Sequence, residues 1–199
     1  MGRTGLGVYE RIRQSGLSKA HVILADSVRR LLGKKLSHEN IVYQLNPSAY
    51  SAGHPVQIPE SFKVLRYENL DEIPKPDLST LHPVELARIV EQADRELRAG
   101  AVMWVGYIEG VFAASQFSIR GQFLKRWFIP LQPDDIVIYG ADTLNAFRGR
   151  GIHPAMIRSI IEREVDAGAY CDTNVWNVVA QRNIERAGFR RIARAPTLQ

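Results

Sequence analysis

The residues best suited to chemistry in this 199-residue chain cluster in one short run, Arg148-Gly149-Arg150-Gly151-Ile152-His153. The run follows a β-favouring segment, Ile136 to Tyr139, and precedes a segment whose apolar residues Ile152, Met156, Ile160 and Ile161 recur with helical spacing. A helix start leaves backbone N–H groups without partners and carries partial positive charge. Two glycines at that point let a ligand approach the backbone closely, and Arg148 and Arg150 add charge beside the same amides. The object predicted is a cradle for a diphosphate. Two nucleotide loops do not fit the spacing: there is no Gly-x-x-x-x-Gly-Lys-Ser/Thr, and the sixth position after Gly149-x-Gly151 begins is Pro154, not glycine.

Several titratable side chains lie near this run. Asp142, just before the cradle, could accept a proton directly or through water, or could cap a turn or bind substrate. Tyr139 lies three residues earlier, which on a regular strand puts it on the opposite face. Asp135 is a further carboxylate at the start of the same run. His153 is chemically suited to proton transfer near neutrality, or to touching a phosphate where it stands. Cys171 is the single cysteine, so no intramolecular disulfide and no cysteine metal cluster can form, and no metal is expected. Nothing around it argues for an activated thiol, and it reads as a buried structural residue.

These groups need a scaffold, and the chain is long enough to build one with a real core. An apolar fraction of 45% and a charged fraction of 24% are ordinary globular values. No run approaches the roughly 18 apolar residues of a membrane span, and no apolar core with a small-residue cleavage site opens the chain, so the expected location is cytoplasmic. A net charge of +5 suits an anionic partner. The basic residues are scattered and no nucleic-acid reader motif is present, so nucleic acid is not the expected one.

Read in order, residues 1–18 read as a weak helix around Val8 to Gln14 or as a partly disordered segment. A clearer amphipathic helix follows from Lys19, ending near Gly33, with Arg29, Arg30, Lys34 and Lys35 at its end; these cations either face water or form part of a basic rim. Asn40 to Leu45 and Phe62 to Tyr67 read as strands, separated by a connector carrying Gly53, Pro55 and Pro59. Residues 71–78, with Pro74 and Pro76, cannot be a helix interior and form either a substrate-binding loop or a simple spacer. A helix from His82 to Ala99 presents Leu86, Ile89, Val90, Ala93 and Leu97 on one face. Ala101 to Ile108 and Val111 to Ile119 form a hairpin about Glu109-Gly110. The loop 121–133 carries Phe123, Trp127 and Phe128, either as a pocket wall or as core residues holding the loop down. A strand over 136–144, the helix after the cradle over 152–167, a strand over 169–175, a helix over 177–186 and a last strand complete the pattern. Trp176 and Asn174 could wall the site or belong to the core.

With those elements in place, Arg148-Gly149-Arg150-Gly151-Ile152-His153 resembles the Arg/Gln-x-x-Gly-x-Gly/Ala loop of the GNAT (Gcn5-related N-acetyltransferase) acyltransferases, with His153 where the family usually has a small residue. Asn177-x-x-Ala180 followed by Gly188-Phe189 resembles the family's later block. Together the two cover about residues 101–194; Phe62 to Leu97 is compatible with the family's first strand and helices. The resemblance implies an α/β fold with a mixed, mostly antiparallel twisted sheet and flanking helices. The chain then divides into an N-terminal extension over 1–60, helical and then a short strand, and an acyltransferase domain over 61–199.

The resemblance also implies function. An acetyl or longer acyl group would pass from acetyl-CoA or another acyl-CoA cosubstrate to an amine or hydroxyl by direct attack, with no covalent intermediate. Leu144, Arg148, Gly149, Arg150, Gly151, Ile152, His153, Asn177 and Asn183 are the implied cofactor contacts, with the backbone of 142–144 polarising the thioester carbonyl. Asp142, Asn177 and Tyr139 are the candidate catalytic residues. Many relatives have a tyrosine in the last helix that protonates the leaving thiolate; here Ile184 stands in that place. That departure leaves open a non-catalytic coenzyme A-binding module. The expected partners are a small-molecule acceptor such as a sugar nucleotide or amino acid, an acyl-carrier protein as alternative thioester donor, and a second copy in a homodimer.

Overall fold

The computed structural model describes residues 38–45, 50, 60–74, 81 and 83–198. The helix from Lys19 with its basic end, the weak helix before it and the connector after Tyr50 lie outside the described residues.

Among the described residues seven strands form one sheet: β1 (Glu39–Leu45), β2 (Phe62–Tyr67), β3 (Val102–Ile108), β4 (Val111–Arg120), β5 (Ile136–Thr143), β6 (Ala169–Asn174) and β7 (Phe189–Pro196). Their spatial order is β2-β3-β4-β5-β6-β1-β7. Every pairing is antiparallel except β5 with β6. Among the described residues three helices flank the sheet: α1 (Pro83–Arg98), α2 (Ile152–Glu164) and α3 (Val178–Arg186). This is the mixed, mostly antiparallel architecture that the sequence predicts. The strand read from Asn40 to Leu45 is present, but it does not stand apart in an extension. It pairs with β6 on one side and β7 on the other, so a boundary at residue 60 would cut a strand out of the middle of the sheet.

Local chemistry accounts for these elements. Pro83 opens α1, where a missing N–H costs nothing. Glu109 and Gly110 both take positive φ, 53° and 77°, the conformation a two-residue hairpin between β3 and β4 requires. The single parallel pair is joined through α2, the crossover such a pair needs. Alternation along the strands builds two cores. Ile136, Ile138 and Cys171 pack with Ile152, Met156, Ile157 and Ile160 of α2 on one face. Met103, Val105, Phe117 and Val137 pack with Ile89 and Ala93 of α1 on the other. Full burial of each such apolar side chain contributes about 1.5–3 kcal/mol, so the sheet is held from both sides.

Two departures from a regular sheet shape the site. β5 and β6 pair at Ile136–Ala169, Val137–Tyr170 and Ile138–Cys171 and then separate, although β5 runs on to Thr143 and β6 to Asn174. In the pairing of β4 with β5, Phe117 opposes Tyr139 and Ser115 opposes Asp142, so Gly140 and Ala141 together face Gln116. This is a β-bulge, and Gly140 takes the φ of +64° that it demands. One extra residue inverts the alternation beyond it. Tyr139 and Asp142 are therefore not on opposite faces, as three-residue spacing on a regular strand predicts; both side chains reach α1.

Candidate active site

A cavity of about 790 Å³ opens where β5 and β6 part. It runs from the loop before α2, at Gly149 and Gly151, along residues 138–143 of β5 and 171–174 of β6, to Asn177 and Asn183 of the α3 region. Ligands in open α/β sheets lie at such a place, outside the carboxyl ends of adjacent parallel strands. Its volume is in the range of small-molecule sites.

One end of the cavity is the predicted cradle. Gly151 is the N-cap of α2 with φ of +75°, and Gly149 has φ of +78°. Neither is a comfortable conformation for a residue with a side chain. Gly151 has no side chain to cap α2, so the first amides of the helix are left to the space in front of them. Arg148 turns back toward the strand: its Nε donates to the Thr143 carbonyl at 2.8 Å and its guanidinium lies 3.8 Å from Asp142. Arg150 lies over the Phe147 ring, 5.5 Å from its centroid. His153 is half-buried on the first turn of α2, and its Nδ1 lies 3.3 Å from Nδ2 of Asn183. Burial pulls its pKa down to about 4. Desolvation favours the neutral ring and so weakens it as a proton acceptor near neutrality.

The middle of the cavity holds the other candidates. Asn177 is the N-cap of α3, its Oδ1 accepting from the Ala180 N–H at 3.3 Å. Its Nδ2 remains for the cavity it lines. Asp142 lines the cavity but is clasped by Arg88 of α1 and approached by Arg148. A carboxylate held by two guanidinium groups is well fixed as an anchor. Tyr139 donates to Glu96 Oε2 at 2.7 Å, and burial, reinforced by that carboxylate, pushes its phenol well above its ordinary value. It is not poised to exchange a proton. Leu144 follows the end of β5 and its N–H is taken by the Ala113 carbonyl at 2.9 Å, so its backbone amide is spoken for. Ile184 is buried at 3% exposure on the inner face of α3 and lines the cavity. Cys171 is buried, with its thiol pushed up by that burial, as a structural residue should be.

The structure adds a carboxylate that the sequence does not single out. Asp172 lies one residue past the last β5–β6 pair and lines the cavity. Its Oδ2 accepts from Nδ2 of Asn40 on β1, and Asn40 Oδ1 in turn accepts from the Thr197 hydroxyl at 2.9 Å. Burial raises its pKa, opposed by the Asn40 bond. Gln116, opposite the bulge, also lines the cavity and keeps a buried Oε1 without a partner. Asn40 and Asp172 are 132 residues apart, so no local pattern announces the pair.

The loop aromatics are elsewhere. Trp127 packs edge-on against Tyr170, ring centroids 5.5 Å apart, and Phe123 is exposed. The loop precedes β5, so it sits at the opposite end of that strand from the cavity and does not wall it. Asn174 lines the cavity and Trp176 does not. Among the described residues no group of three or more His, Cys, Asp or Glu is arranged to hold a metal, and no helix is long and apolar enough to cross a membrane.

No family model and no curated protein matches the sequence. Solved structures do match the fold. An acetyltransferase of the GNAT family from Colwellia psychrerythraea superposes with a TM-score of 0.52 at 16% identity, covering 79% of this chain and 54% of that one. A tandem GNAT protein from the clavulanic acid biosynthesis pathway gives 0.53 at 12% identity, covering 78% and 51%. The aminoglycoside N-acetyltransferase AAC(6')-Iy in complex with CoA gives 0.50 at 16% identity, covering 69% of this chain and 98% of that one. The chain spans about half the length of the first two. It has the fold of the GNAT acetyltransferases.

Proposed function

We propose that the protein is an acyltransferase that moves an acetyl or longer acyl group from a coenzyme A thioester to the amine of a small molecule. The observation that carries this reading is the continuity of one cavity from the uncapped start of α2 into the split between β5 and β6. The first feature suits a diphosphate. The second suits a narrow chain ending in a thioester. Gly149, Gly151, Ile152 and His153 would hold the diphosphate, and the Asn177 amide would meet the pantetheine arm. A neighbour of the same fold that binds CoA supports the choice of carrier.

The chemistry asked of the chain is modest. A neutral amine attacks the thioester carbonyl, a tetrahedral oxyanion forms, and its collapse expels the thiolate. The amine arrives as an ammonium ion and must lose a proton first. Asp142 is engaged with arginine and Tyr139 with Glu96, so this role falls to Asp172. Its raised pKa makes it a stronger base than an exposed aspartate, and it sits at the mouth of the split. The Asn40 amide fixes one of its oxygens and leaves the other for the substrate. With Ile184 in the place of an acid, the thiolate leaves without a dedicated donor. Acceptors such as amino acids or sugar nucleotides, and a carrier-protein thioester as donor, fall within the same reading.

Ile184 is also the observation favouring a second reading, a coenzyme A-binding module without turnover. Incubation with acyl-CoA esters of graded chain length and a panel of amines, followed by thiol release, separates the two. Amine-dependent release supports the enzyme; saturable coenzyme A binding with no release across the panel supports the module.

A further inference from the structure

His153 and Asn183 carry a consequence for how the cradle holds its anion. The nitrogen that Asn183 presents to the ring is an amide nitrogen, which has hydrogens and no lone pair to give. With this nitrogen toward the ring, Asn183 donates to Nδ1, and the neutral imidazole then carries its proton on Nε2. The lowered pKa has one cause, burial; no neighbouring charge contributes to it. The charged groups around the cavity are Asp142 of β5, Arg148 of the loop, Asp172 of β6 and Arg186 of α3, and Arg150 is stacked on Phe147. A half-buried ring held in one tautomer on the first turn of α2, beside uncapped amides, is one more N–H donor with no added charge.

We propose that His153 acts on the bound diphosphate as a neutral hydrogen-bond donor through Nε2–H, and that Asn183 is the positioning residue that fixes this tautomer. The proposal rests on the reading of the cavity as a coenzyme A site. It assigns Asn183 a role through the ring and not through direct contact with the cofactor. It also predicts an affinity that does not follow a histidine titration, because the donor is present over the whole range in which the ring is neutral.

Dephospho-coenzyme A is the right probe, because its diphosphate keeps its charge between about pH 6 and pH 8 and it lacks the titrating phosphate monoester. Calorimetric titration of the wild type should give an affinity that is flat over that range. His153→Ala should lose about 10–100-fold, the equivalent of one hydrogen bond to a charged group. His153→Gln, which keeps a donor, should recover part of the loss. Asn183→Asp replaces the donor by an acceptor, moves the ring proton to Nδ1 and favours imidazolium; its affinity should fall at about pH 8 and recover toward pH 6. Nitrogen-15 spectra should show Nε2–H in the wild type and Nδ1–H in Asn183→Asp. An Nδ1–H tautomer in the wild type, or undiminished affinity in His153→Ala, overturns the proposal. Failure of the wild type to bind dephospho-coenzyme A sinks the coenzyme A reading and the ligand half of the proposal, and the spectra then still decide the tautomer.

Discussion

The two ends of the β5–β6 pair are built from the same materials and do opposite things. At the N-terminal end Asp135, 5% exposed, accepts from the Gly168 N–H at 2.9 Å and from the Gln132 N–H at 2.7 Å. Gly168 leaves no room for a side chain there, since a Cβ would lie 2.4 Å from Asp135 Oδ1. Trp127 closes over Tyr170. At the C-terminal end the strands part, and their carboxylates are bound by side chains: Asp142 by Arg88 and Arg148, Asp172 by Asn40. A carboxylate satisfied by two backbone amides is fixed by the fold itself. One held by a single side-chain amide beside a cavity keeps an oxygen for something else. Burial alone does not distinguish a structural aspartate from a chemical one; the nature and number of its partners do.

That contrast can be broken experimentally. The largest effect expected is Asp172→Asn, which should lower amine acylation by about 10²–10⁴-fold, the usual worth of a general base, with coenzyme A binding retained. Steady-state rates beside a calorimetric titration read both. The same variant should be more stable than the wild type at pH 7. The folded-state pKa of Asp172 lies above its unfolded value, so its favourable contribution is complete below the ordinary carboxylate range and is lost as pH rises through the raised value. Asparagine carries no such loss, and thermal melts should show the gap closing as pH falls. Loss of both activity and stability would make Asp172 a structural residue like Asp135.

Asp135→Ala should do the reverse. Orphaning two buried N–H groups costs about 2–4 kcal/mol of stability in a denaturant titration, while coenzyme A affinity changes little. A comparable loss of affinity would mean that the two ends are coupled. The smallest effect is expected from Arg88→Ala. Its ion pair with Asp142 is about half exposed on the arginine side and should be worth less than about 1 kcal/mol. Transfer rates should change by less than about tenfold, and a larger drop would return Asp142 to the chemistry.

What the sequence shows and what it hides follow from range. The glycine loop, the Asn177 cap and the β3–β4 hairpin depend on residues a few positions apart, and each is legible in the order of the amino acids alone. The bulge is not. Gly140-Ala141 inside an apolar run looks like ordinary strand, and only the register against Gln116 shows that the alternation inverts there, bringing Tyr139 and Asp142 to the same helix. The place of β1 is hidden for a related reason. Asn40 to Leu45 reads as a strand, but its neighbours are more than 120 residues away, so the sequence assigns it to an extension. Asp172 is missed with it, because its partner is on that strand. The aromatic loop stays ambiguous in composition, since large rings suit a pocket wall as well as a contact like that of Trp127 on Tyr170 at the closed end.

The most direct measurement is a calorimetric titration of coenzyme A into the wild type and into Gly151→Glu, with circular dichroism to show that the variant is folded. The account predicts saturable one-to-one binding by the wild type and none by the variant, whose added carboxylate would stand where the diphosphate belongs. No binding by the folded wild type, or equal binding by both, would contradict it.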